Sequence, residues 1–343
     1  MTVAGDFRDE LTDPGTPGLP ERFFDRFVFN LHPPDASTPS ILFGLGMYPG
    51  TDTVDGFAIL VTGTEQQNVR FSTELGAAQL SPVGQSEVGP LRWRVVEPMR
   101  IWHVALGSNP AGLEFDLTWT ARAPAWTGSV LVGADDQPAT SFTHLFQSGR
   151  YRGSLRRNGR EERIAGWYGQ RDRSRGVRTL SGGQGLHLWV QAQFPDCSAG
   201  FLLVEDRQHT RLLLEGAVMH ESGLVDPVTG VRHELRFDEG LDLRGGTLEV
   251  TTASGAVYVI DADASGRGGY MAGGGYDGQH GIPKGRNHVE YDVYPLDGSV
   301  SPRALGSALT DRLTEFRWDG TLGLGILEFA HTRSRSYTYQ PSP

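Results

Sequence analysis

The segment Trp167-Tyr-Gly-Gln-Arg-Asp-Arg-Ser-Arg-Gly-Val-Arg178 sets Arg171, Arg173 and Arg175 around one carboxylate, Asp172, between Gly169 and Gly176. As a solvated loop this cluster contributes little energy. Folded inward, an aspartate among guanidinium groups is fixed by charge-assisted hydrogen bonds and is available for proton transfer or for orienting a polar ligand group. A second cluster, Phe23-Phe-Asp-Arg-Phe-Val-Phe-Asn-Leu-His32, points Asn30 and His32 the same way along an extended segment. That pair reads more readily as a strand end feeding the turn at Pro33-Pro34 than as a catalytic pair. Among ten histidines, His288-Val-Glu290 places an imidazole and a carboxylate on one strand face, with His280 as a further ligand for a metal. No HExxH run, paired-histidine stretch or cysteine cluster supports that site, so no metal is expected. The run Gly268-Gly-Tyr-Met-Ala-Gly-Gly-Gly-Tyr-Asp-Gly278 does not match GxGxxG and reads as a tightly turning loop rather than a phosphate cradle. No G-x-S-x-G nucleophile elbow occurs.

The 343 residues carry 31 basic and 41 acidic side chains, a formal charge of -10, which gives no field to attract nucleic acid or anionic lipid. Lys284 is the only lysine, which removes a Walker-type phosphate loop. The single cysteine, Cys197, excludes an internal disulfide and a multi-thiolate site. Met1 to Pro20 carries Asp6, Asp9, Glu10 and Asp13 where a secretory signal needs a basic start and an apolar run. The longest apolar runs, such as Phe57 to Val61, fall far below the roughly 20 residues of a spanning helix. A soluble, cytoplasmic protein without a cofactor is expected.

The elements that must position these groups are strands. Forty-six glycines and twenty prolines divide the chain into segments of about 5 to 9 residues. In Leu113-Glu-Phe-Asp-Leu-Thr-Trp-Thr120 the apolar residues alternate with polar ones, as in an antiparallel strand with one dry face. Similar strands are read at 101–106, 186–194, 200–204, 212–219, 231–237, 247–252 and 256–261. Asn158-Gly159, Asp226-Pro227, Gly245-Gly246, Ser254-Gly255 and Asp319-Gly320 read as turns or breakers. Only Ala304 to Phe316 hints at helical periodicity, which disfavours Rossmann and TIM architectures. In the strand 186–194, Leu188, Val190, Ala192 and Phe194 form one face, and His187, Trp189, Gln191 and Gln193 form another that either lines a pocket or meets water. The expected fold is all-β, two tandem antiparallel barrels: a flexible leader over 1–20, a first barrel over 21–200, a second over 201–335, and a tail over 336–343.

Taken in order, Asp25-Arg-Phe-Val-Phe-Asn30, Arg171-Asp-Arg-Ser-Arg-Gly-Val-Arg178, His288-Val-Glu-Tyr-Asp292 and Trp318-Asp-Gly-Thr-Leu-Gly-Leu-Gly-Ile-Leu-Glu328 resemble the tandem lipocalin-like (calycin) superfamily of AttH-like proteins and carotenoid 1,2-hydratases. The resemblance implies two lipocalin-like β-barrels with a ligand cavity near their junction. It further implies that Asp172, at the position of the hydratase motif's aspartate, donates a proton. Arg175 stands where that motif has tryptophan, and a cation there opposes a carbocation and favours a substrate bearing an oxyanion or carbonyl. Acid chemistry on an apolar ligand needs a sheltered donor and an aromatic lining. Asp172 is the candidate donor; Trp167, Tyr168, Trp189 and Tyr276 are candidate lining; Arg171, Arg173 and Arg175, with Asn30 and His32, are candidates to bind the substrate's polar end. The leading expectation is a cofactor-independent hydratase, cyclase or double-bond isomerase acting on a terpenoid, steroid or polyketide-like molecule. The rivals are a non-catalytic carrier of such a molecule and a pericyclase that only shapes its substrate. The sequence is silent on oligomeric state.

Overall fold

The computed structural model of the protein describes residues 7–342 except 36, 38, 82–83, 135–136, 179–183 and 266–267. The strands, in chain order, are β1 (Phe23–Leu31), β2 (Ser40–Tyr48), β3 (Thr53–Val61), β4 (Glu65–Glu74), β5 (Gln85–Val88), β6 (Leu91–Glu97), β7 (Ile101–Leu106), β8 (Leu113–Ala121), β9 (Trp126–Ala134), β10 (Gln137–Arg157) and β11 (Arg160–Val177). They continue as β12 (Gln184–Gln193), β13 (Cys197–Asp206), β14 (Arg211–His220), β15 (Val225–Phe237), β16 (Leu243–Thr252), β17 (Val257–Asp263), β18 (His288–Pro295), β19 (Thr310–Trp318) and β20 (Thr321–His331).

Two units result, and the all-β, tandem-barrel expectation holds. β12 to β17, β19 and β20 close an eight-stranded barrel. The first unit is a curled half-barrel in the order β18-β4-β3-β2-β1-β11-β10-β8-β7-β6-β5, with β9 paired to β10. Its concave side holds a core that includes Phe27, Phe29, Phe43, Trp102, Phe115 and Trp119. β8 has the alternation read from its sequence, with Leu113, Phe115, Leu117 and Trp119 inward. β2 and β3 are buried along their whole length because both faces are covered. That explains Phe57 to Val61 as a strand sandwiched between layers, whose run is apolar on both parities. The cover on the convex side is the segment between β17 and β19, through Tyr270, Met271 and Leu296. No helix among the described residues is long and apolar enough to cross a membrane.

Several expectations change. The passage from one sheet to the other falls between Val177 and Gln184, and residue 200 lies inside β13. Phe194-Pro195-Asp196, read as an interruption between domains, is a hairpin within the barrel, where the Phe194 amide donates to the Cys197 carbonyl at 2.8 Å. His288–Pro295 leaves the barrel sequence to pair with β4 of the first sheet. Residues 304–316 form no helix; their second half is β19. Asp226-Pro227 and Gly245-Gly246 lie inside strands. The two glycines have φ of 132° and 157°, and a Cβ at either would strike the backbone of a neighbouring strand, so glycine there serves close strand approach and not a turn. Asn158-Gly159 and Asp319-Gly320 do form two-residue hairpins, with positive φ at both positions of each.

The expected loose leader and tail are anchored in part. Residues 1–6 lie outside the described residues, but Asp9, Leu11 and Thr12 are buried. Asp9 accepts from Arg171 at 2.8 Å and from the Trp102 indole at 3.1 Å, and the Thr12 amide donates to Asp25 at 2.8 Å. In the tail, Tyr337 is buried and the Tyr339 hydroxyl accepts from the Leu235 amide at 2.7 Å. Polar and aromatic anchors within short, Gly- and Pro-rich stretches outweigh their composition. Asp25 and Arg173 are both fully buried and pair at 2.8 Å. Asp25→Ala therefore strands a buried guanidinium and is expected to lower unfolding stability in urea by about 3–5 kcal/mol; a loss below about 1 kcal/mol contradicts this role for the pair.

Candidate functional site

Side chains alternate across a strand, so β11 separates its charged cluster into two sets. Asp172 and Ser174 face the convex side with their cross-strand neighbours Val28 and Arg26 on β1 and Phe146 and His144 on β10. Arg171, Arg173 and Arg175 face the other way. The barrel presents its outer wall to the same convex side: Trp189 of β12 lies beside Leu202 of β13 and Glu328 of β20, and Glu328 lies beside Asp311 of β19. On the face of β12 that carries His187, Trp189, Gln191 and Gln193, the last three are buried against the first unit and His187 is half-buried at the cavity. Between the two walls is a cavity of about 100 Å³ lined by Arg26, Phe142, His144, Asp172, Trp189 and Asp311, with Arg178, His187, Tyr276 and Glu328 among the remainder. It lies between the units, outside the barrel's closed interior.

A chain of charge crosses this interface. His144 Nε2 lies 2.5 Å from Asp172 Oδ2, and its Nδ1 lies 2.5 Å from Oε1 of Glu215 on β14. All three side chains are shielded, with exposures of 6% for His144, 14% for Asp172 and 6% for Glu215. Two carboxylates only accept, so both ring nitrogens donate and the ring is an imidazolium. Burial works against that charge, but Asp172 and Glu215 outweigh it and push the His144 pKa up to about 10. A Cβ on Gly128, opposite His144 on β9, would collide with the Glu215 carboxylate, so glycine opens the space for it.

On the barrel wall two more acids meet. Asp311 is 4% exposed and its Oδ1 is buried with no hydrogen-bond partner. Burial, then the charge of Glu328 and a hydrogen bond to it, then Asp172, raise the Asp311 pKa well above the usual carboxylate range. Burial also opposes ionisation of Glu328. The hydrogen bond from His187, at 2.8 Å, together with Asp311 and Arg178, holds it below its usual range. The two carboxyls are thus pushed in opposite directions, Asp311 toward its neutral form and Glu328 toward its anion. Paired carboxyls with opposed pKa values mark acid and base roles in a site.

Of the residues singled out from sequence, Asp172, Trp189 and Tyr276 line the cavity. The others are placed elsewhere by strand parity. Arg171 bonds Asp9 and stacks on Trp102, with its guanidinium 5.0 Å from the ring centre. Arg173 is held by Asp25 over Phe27, and Arg175 lies over Phe7. They serve to anchor the leader on the concave side, not to hold a ligand's polar end. Trp167 belongs to the first sheet's core, and Tyr168 lies under Arg122 and Arg150. Asn30 Oδ1 accepts from the Gln170 amide, and buried His32, its pKa lowered to about 4 by desolvation, donates Nδ1–H to the Pro33 carbonyl at 3.0 Å. His288 and Lys284 both bond Glu290, while His280 bonds Asp55. No group of three metal-ligating side chains is gathered among the described residues. Sequence reasoning missed His144, Glu215, Asp311 and Arg26 as site residues. The available signal was a lone titratable group set among aromatics of one parity, as in Phe142-Thr-His144-Leu-Phe146.

His144 binds its proton more tightly in the folded protein than in the unfolded chain, so its contribution to stability is complete below about pH 6.5 and is lost as pH rises through about 10. In histidine NMR, His144 is expected to keep both ring protons at pH 8. Glu215→Gln should bring its titration down by about 1 to 3 pH units. An unchanged titration contradicts the bridge.

The fold has relatives among solved structures. The AttH-like protein NE1406 of Nitrosomonas europaea superposes with a TM-score of 0.62 at 12% identity, covering 90% of this chain and 92% of that one. CghA solved with Sch210972 gives a TM-score of 0.53 at 11% identity over 95% and 97% of the two chains. Kievitone hydratase of Nectria haematococca gives 0.49 at 11% identity over 96% of each. The first two superpositions support the tandem-barrel resemblance read from the motifs at the level of fold. No curated protein matches the chain in sequence. A family model does match, over residues 17–338, and by that match the chain belongs to a family of unknown function, DUF8625.

Proposed function

We propose that the protein is a cofactor-independent lyase or isomerase, a hydratase, cyclase or double-bond isomerase, that uses acid–base catalysis on a largely apolar small molecule bound between its two units. The observation that carries this reading is a buried carboxyl group, Asp311, with an unpartnered oxygen and surroundings that favour its neutral form, in the same cavity as the Asp172–His144–Glu215 bridge. Trp189, Phe142, Leu202 and Leu309 supply apolar walls around these groups.

In this scheme Asp311 gives its proton to one carbon of an alkene, whose π electrons form the new C–H bond and leave a cation on the adjoining carbon. The face of Trp189 and the nearby carboxylates favour that cation. Asp172, kept oriented by the His144 imidazolium, then takes a proton either from a neighbouring carbon, giving an isomer, or from a water that adds to the cation, giving a hydrate. Asp172 thus takes the base's part, and Asp311 the donor's part first expected of Asp172. An internal nucleophile in the substrate, attacking in place of water, would give a cyclised product. CghA, of the same fold, has been solved with the small molecule Sch210972, which supports a ligand-binding role for this architecture.

Incubation in deuterium oxide with a panel of prenylated phenols and polyprenyl ketones, read by mass spectrometry, tests the scheme. Wild type is expected to incorporate solvent deuterium into product, and Asp311→Asn and Asp172→Asn each to slow this by about 10²–10⁴ while ligand affinity is retained. Turnover unchanged in both variants, or ligand binding with no turnover in wild type, overturns the enzyme reading, the second outcome in favour of a carrier.

A further inference from the structure

Buried arginines in this protein are generally matched with carboxylates: Arg171 with Asp9, Arg173 with Asp25, and Arg312 with Asp242. Two guanidinium groups on the cavity wall depart from that pattern. Arg26 is set among three aromatic rings, 5.7 Å from the centre of Phe24, 5.8 Å from Tyr48 and 5.1 Å from Tyr276. Its Nη2 donates to the Tyr48 hydroxyl at 2.7 Å, and its Nε is buried without an acceptor. Arg178, exposed at the rim, lies 5.1 Å from the centre of the same Phe24 ring and 4.7 Å from Phe142. Among the described residues neither group forms an ion pair within 4.0 Å; Asp172 is bonded by His144 and Glu328 by His187, so these acids, and Asp55 near Arg26, act on the two guanidinium groups through their fields and not by contact.

Sharing Phe24 brings two like charges to one side of the cavity, where each disfavours the other and neither has a counter-ion in contact. Aromatic flanks hold the guanidinium planes without consuming their N–H donors. Such a pair is arranged to receive a delocalised oxyanion from the cavity, because a planar carboxylate or enolate accepts two parallel N–H bonds from a guanidinium fork. We infer that Arg26 and Arg178 form an anion-binding end of the cavity, so that the ligand is an apolar molecule carrying a carboxylate or an acidic enol. The inference rests on the cavity being the ligand site. It adds orientation: with the anion held at this end, the apolar body extends past Trp189 toward Asp311.

Calorimetric titration of the intact protein with 2-naphthoate and with 2-naphthamide, similar in shape and different in charge, tests this. Naphthoate is expected to bind at least about tenfold more tightly, a difference of about 1.4 kcal/mol, with the preference falling as salt is added. Arg26→Gln and Arg178→Gln should each abolish most of the preference. Arg178 sits at the exposed rim, so its variant keeps the test valid even if Arg26→Gln fails to fold. Equal affinity for the two probes in wild type, a preference that survives both substitutions, or no binding of either probe overturns the inference. The readout is binding and not turnover, so loss of charge preference alone leaves the acid chemistry to the deuterium experiment.

Discussion

An imidazolium held between carboxylates of two different sheets is the interaction on which the cavity depends. His144 and Asp172 come from the half-barrel and Glu215 from the closed barrel, so the bridge fastens the units to each other at the edge of the cavity. Charge-assisted hydrogen bonds in a shielded site are strong and geometrically demanding. They fix the Asp172 carboxylate at the cavity edge before any ligand arrives, and such preorganisation is what an acid–base site needs. The same bridge accounts for Gly128, since no side chain fits beside Glu215 there.

The cavity's electrostatics follow from unequal company. Asp311 is buried and Glu328 partly so, but Glu328 has His187 and Arg178 to favour its charge, while Asp311 faces mainly anions. These surroundings favour the proton on Asp311 over Glu328. Arg26 and Arg178 stand among aromatics on the wall formed by the first sheet. Asp311, Asp172 and the two guanidinium groups are thus carried by different elements around one small space. Each owes its state to its neighbours, not to its residue type.

Much of the fold was legible in the sequence because strand parity and turn chemistry are local. The alternation of 113–120 and the Asn158-Gly159 hairpin needed nothing beyond the chain's own residues. Tertiary closure was not legible in the same way. Gly245-Gly246 and Asp226-Pro227 look like turns in isolation and are strand residues because the barrel coils tightly around them. In the cluster at 171–175, the sequence placed Asp172 and three arginines together, and the fold sends them to opposite faces. Parity predicts that separation once the segment is taken as a strand and not a loop. Asp311 could not be found from sequence, since its neutral state depends on Glu328, seventeen positions away along a hairpin, and on a wall supplied by the other unit.

The proposed chemistry requires Asp311 to be a carboxylic acid at neutral pH. Infrared spectroscopy reads this directly through the carbonyl stretch of a protonated carboxyl group. In the difference spectrum of wild type minus Asp311→Asn at pH 7, the account predicts a protonated-carboxyl band that belongs to Asp311 and disappears only at much higher pH. A spectrum showing only the carboxylate bands of an ionised Asp311 at pH 7 would contradict it.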